Sequence, residues 1–168
     1  MEWTMKDMPK SLGTIAEYLR IGLIVGLLAP EQASEWAYSI VAGEAEPPSE
    51  IIDLAWCKEV APMIDALAAV EGPRDARLAG RWLLGLLRET LPETADGLQL
   101  ATQRALSIAR LAELGDDVHH RFDALDDELS LARTKVYGTV EACRSDIRIE
   151  LDSYPSIDLV PGSNRSVR

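Results

Sequence analysis

The sequence predicts an all-α fold, a single-domain bundle or orthogonal array of about seven to eight helices. Three observations predict it. Long stretches rich in Ala, Leu, Glu and Arg carry apolar residues at three- and four-residue spacing. Most of the nine prolines separate those stretches, at positions where a first helical turn tolerates proline. The 168 residues are 47% hydrophobic but include a single Phe, so aliphatic residues and alanine must fill most of the core.

The first helix is expected over 9–28, opened by Pro9. Ile15, Leu19, Leu23 and Leu27 recur every four residues, and Ile24 and Leu28 widen the stripe. Gly22 and Gly26, four apart, would admit a close helix neighbour. Pro30 opens a second helix over 30–43 with Ala33, Trp36, Ala37, Ile40 and Val41 on one face. The link between the two is short, which predicts an antiparallel αα-hairpin. Pro48, Pro62, Pro73 and Pro92 mark further starts, giving helices over 48–60, 62–70, 73–91 and 93–114.

From Val118 the spacing tightens. Val118, Phe122, Leu125, Leu129, Ala132 and Val136 form an a/d seam of under three heptads, suited to packing in a bundle rather than to a free coiled coil. Past Gly138 the helix continues through Val140, Cys143 and Ile147 to about residue 152. A second pattern competes with it. Ile147, Ile149 and Leu151 alternate with Arg148 and Glu150, and a turn at 153–156 would lead into a strand over 157–160. Two strands alone are marginal, so the helix is preferred over this short C-terminal β-hairpin. The resulting organisation is one helical domain, 1–152, with a frayed tail over 153–168.

Asp and Glu number 28 against 17 Lys and Arg, a net charge of −11. Binding to duplex nucleic acid or to an anionic membrane is driven by Lys and Arg, so both partners are excluded. A basic partner fits by complementarity. Cys57 and Cys143 sit among apolar helical residues and read as free thiols, not as a disulfide framework. The N-terminus lacks the pattern of a signal peptide, and the longest apolar run, 21–29, is far short of a membrane span. A cytoplasmic location is expected.

No catalytic constellation emerges, and no cofactor or metal is expected. The only histidines, His119 and His120, are adjacent. On a helix His119 would pair with Asp123 and His120 with Asp116 at i,i+4, but HExxH and doubled ExxH patterns are missing. These polar residues read as a solvated face between Val118 and Phe122. Glycine-rich phosphate loops and a nucleophile elbow are likewise missing. Arg74, Arg77 and Arg81 share a helix face beside Trp82, which reads either as an anion or partner site or as an exposed face balanced by acids.

The acidity is bimodal. Residues 1–56 hold nine acids and three bases, and 116–152 hold ten acids and five bases, around a nearly neutral middle. The first concentration is Glu44, Glu46, Glu50 and Asp53. The second is Asp116, Asp117, Asp123, Asp126 and Asp127, with Glu128. Either set is a solubilising surface or a docking surface for a basic protein, with Trp56 and Tyr137 as candidate aromatic anchors.

The run from Leu19 through Ala29-Pro30-Glu31 and Trp36-Ala37 to Gly43, followed by Pro47-Pro48-Ser49-Glu50 and the helix behind it, resembles small helical bacterial immunity proteins encoded beside polymorphic or contact-dependent toxins. The likeness covers residues 19–57. It implies a cytoplasmic, non-enzymatic inhibitor that binds one toxin domain, a basic one if that toxin is a nuclease. Two alternatives stand beside it. One is a helical adapter or self-assembling protein that uses the 118–136 seam between subunits. The other is a metal-dependent hydrolase built on carboxylates with His119 and His120.

Overall fold

Side-chain caps set half of the helix starts. The computed structural model describes residues 11–159, which form α1 (Leu12–Ile24), α2 (Pro30–Gly43), α3 (Ser49–Trp56), α4 (Val60–Ala69), α5 (Ala76–Glu89), α6 (Ala95–Leu111), α7 (Asp116–Arg133) and α8 (Val140–Leu151). Ser11, Asp75, Thr94 and Thr139 precede α1, α5, α6 and α8, and each accepts a backbone N–H from three residues on. Pro30 is the first residue of α2, as its fixed φ and missing N–H favour. Pro73 and Pro92 do not open their helices. Asp75 and Thr94 supply the capping oxygen, so α5 and α6 begin at Ala76 and Ala95. The expected start at Pro9 lies outside the described residues.

Three helices end where one residue turns left-handed. Gly26 has φ +71°, and the N–H of Leu27 returns to the Gly22 carbonyl at 2.9 Å, which stops α1 at Ile24 rather than at 28. Glu113 (φ 52°) and Lys135 (φ 58°) do the same after α6 and α7, without the glycine that normally signals such an end. The α7 seam therefore closes at Ala132, and Val136 stands exposed beyond it.

One hydrophobic core draws on all eight helices. The main neighbours of α1 are α5 and α4, while α2 lies along α3, so the expected α1–α2 hairpin does not form. Gly22 serves its own turn: a Cβ there would fall 2.3 Å from the Leu28 side chain. The chain thus has a group α2–α3–α4 and a group α6–α7–α8, joined through α1 and α5.

No strand occurs among the described residues, so the C-terminal hairpin is not formed. Cys143, Ile147 and Leu151 are buried at four-residue spacing while Ile149 is 64% exposed, because the helical stripe reaches the core and the alternating one does not. The tail is packed as far as it is described. Tyr154 is buried, Ile157 and Leu159 rest on the core, and Ser156 bonds Glu89. A Cβ on Gly85 would meet the Pro155 carbonyl oxygen at 2.1 Å, so this stretch crosses α5 in direct backbone contact. No helix among the described residues is long and apolar enough to cross a membrane.

Candidate functional site

Glu17, one turn into α1, is only 4% exposed, a buried charge that no local spacing singles out. Arg20 lies 2.6 Å from one carboxylate oxygen and Arg74 2.5 Å from the other. Burial alone would raise its pKa, but the bonds and charges of Arg20 and Arg74 outweigh that and hold it below the ordinary value. Arg74 also donates to the carbonyls of Leu67 and Val70 at 3.0 Å, closing the end of α4. It precedes α5 and is spent on the fold, so Arg74 does not share a surface face with Arg77 and Arg81. Those two remain exposed. Trp82 is buried edge to face with Tyr18 and does not flank an arginine stripe.

Arginines stand at most other helix ends as well. Arg88, Arg110, Arg133 and Arg148 sit in the last turns of α5, α6, α7 and α8. Arg104 donates to the carbonyls of Val25 and Gly26 just past α1, at 3.0 and 2.9 Å. Each places positive charge at the negative end of a helix dipole. Neither α2 nor α3 has a basic residue in its last turn. Lys58 follows α3, but α2 runs into Glu44 as its C-cap and then Glu46, charges of the wrong sign for that end.

Between Arg20 and Lys58 the sequence holds Glu31, Glu35, Glu44, Glu46, Glu50 and Asp53 and no Lys or Arg. Glu50 is half-buried in the first turn of α3, and the other five are exposed. None of the six side chains forms an ion pair or hydrogen bond with another described residue. Large apolar groups stand among them. Trp56 is 72% exposed and Tyr38 46%, their rings 6.0 Å apart at 77°, with Ile52 one turn before Trp56. On α3, Ile51, Leu54 and Ala55 take the buried side, which leaves Ile52, Asp53 and Trp56 outward. Glu31 and Glu35 share the face of Tyr38 by helical spacing, and counting charge along the chain overlooked them.

The second acidic set lies on α7. Asp116 and Asp117 occupy its first turn, where negative charge complements the dipole. Asp117 and Glu150 pair with Arg121 at 3.4 and 3.3 Å. Asp126 is half-buried, with its Oδ1 2.5 Å from the hydroxyl of fully buried Thr102. Asp123, Asp127 and Glu128 are exposed. Tyr137, 76% exposed beside Val136, lies past the end of α7 and next to Lys135. Of the seam, Phe122, Leu129 and Ala132 are buried within the chain, Val118 and Leu125 are half-buried and Val136 is exposed.

The His pair brings no ligand set together: among the described residues no group of three or more His, Cys, Asp and Glu could hold a metal ion. Cys57 is half-buried and Cys143 buried, both as free thiols. Among the described residues, fold and site together define an all-helical protein with one acidic, aromatic face whose carboxylates have no side-chain partner. Compared with protein-family models, curated proteins and solved structures, the chain matches none.

Proposed function

We propose that the protein is a non-enzymatic binding protein that neutralises a basic protein partner, of the kind a toxin domain presents, through the α2–α3 face. The observation that carries this reading is Trp56. An indole 72% exposed beside a half-exposed tyrosine, with Asp53 three residues before it on the same outward side of α3, is costly to leave in water and suited to a basic interface. Clustered negative charge steers a basic partner into register, and the aromatic pair supplies the desolvated centre. The likeness of residues 19–57 to immunity proteins supports the same reading, since α2 and α3 lie within that stretch.

Co-expression with the product of the neighbouring gene supplies the partner for the test. Replacing Glu44, Glu46, Glu50 and Asp53 with Lys is expected to weaken the complex at least tenfold and to flatten its salt dependence. Unchanged affinity and unchanged salt dependence would show that this face is not the docking site.

A further inference from the structure

We infer that the partner side chain received at this face is an arginine, stacked on the open ring of Trp56 with its guanidinium turned toward Asp53. The inference rests on the docking role proposed for α2–α3. Tyr38 meets Trp56 edge to face, so it covers at most one side of the indole. Ile52 sits one turn before Trp56 and offers apolar surface to the methylene stem of an incoming basic side chain. Asp53 lies three residues before Trp56 on the same outward side of α3. Lys58, exposed two residues after Trp56 in the sequence, forms no ion pair with a described residue.

A cation over an indole face is held by the ring quadrupole, and neighbouring carboxylates deepen the attraction. Arginine suits the corner better than lysine. Its planar guanidinium stacks flat while its N–H edge stays free to fork onto a carboxylate, and it sheds water more readily than an ammonium. A second copy turned face to face would set these carboxylates against one another, a juxtaposition that disfavours self-docking here.

The probe is the end-blocked peptide Gly-Arg-Gly-Arg-Gly, compared by NMR with its lysine and citrulline counterparts on the full chain. The Trp56 indole N–H is assigned by its loss in Trp56→Leu, a change at an exposed position. The arginine peptide is expected to shift that signal and to bind about 2- to 5-fold more tightly than the lysine peptide, with no binding of the neutral citrulline peptide. Trp56→Leu should erase the preference but keep weak, salt-sensitive binding of both basic peptides. Equal affinity for arginine and lysine, or an unmoved Trp56 signal, would overturn the arginine assignment and leave the docking proposal standing. If neither peptide perturbs α2–α3, both fail. Indole shifts that grow with protein concentration alone would put a second copy on this face and overturn the assignment.

Discussion

Two regions carry most of the acid excess, and they use it differently. On α7, Asp116 and Asp117 stabilise the start of the helix, Asp117 pairs with Arg121, and Asp126 meets the buried Thr102 hydroxyl. On α2–α3, six carboxylates have no side-chain partner among the described residues, and two of them, Glu44 and Glu46, sit at a helix end that their charge disfavours. The arginines that stand at six other helix ends have no counterpart at the end of α2. Similar charge along the chain therefore hides opposite roles. The α7 set is bound into the fold through its partners, whereas on α2–α3 only Glu31 and Glu50 complement a helix start and Glu44 and Glu46 are merely tolerated, as expected where local consistency gives way to function.

Glu17 marks the far end of that contrast, a carboxylate fully engaged by the fold. Glu17→Ala would leave Arg20 without its partner and strip Arg74 of its charge pair, at an expected cost of about 3 kcal/mol in chemical unfolding. Because its folded pKa is lowered, its contribution is complete above the ordinary carboxylate pKa of about 4.3 and fades as pH falls below it. The stability gap between wild type and Glu17→Ala should thus stay constant from pH 7 to about 5 and narrow under acid. A gap independent of pH down to 3 would mean that packing, not charge, holds this site.

Asp126→Ala should cost about 1 kcal/mol by the same measurement, since the Thr102 hydroxyl can turn to the Gln99 carbonyl 2.9 Å away. Glu44→Lys should do the reverse and stabilise by about 0.3–1 kcal/mol, because it places a cation at the end of α2. A destabilising Glu44→Lys would erase the distinction between the two regions.

The helices were largely legible from periodicity and proline. Pro30 set the start of α2, and the a/d spacing from Val118 to Ala132 marked the buried side of α7. What stayed hidden depended on partners distant in sequence or on ends without a glycine. Glu17 and Arg74 are 57 residues apart, so no local spacing links them. Lys135 and Glu113 end their helices in a conformation usually reserved for glycine, which let the seam read on to Val136. Exposure of Trp56 was within reach, because Ile51, Leu54 and Ala55 already fix the buried side of α3. Charge counted by segment could not separate Asp126, half-buried and bonded, from Glu44, exposed and unpaired.

Urea unfolding of two variants with equal charge change tests the contrast most directly. In one, Glu35, Glu44, Glu46 and Asp53 become Lys; in the other, Asp117, Asp123, Asp126 and Asp127 do. The first is expected to be as stable as wild type within about 0.5 kcal/mol or more stable, and the second to lose about 2 kcal/mol or more. Equal losses in the two, or a larger loss in the first, would mean that the α2–α3 carboxylates serve the fold and are not held for a partner.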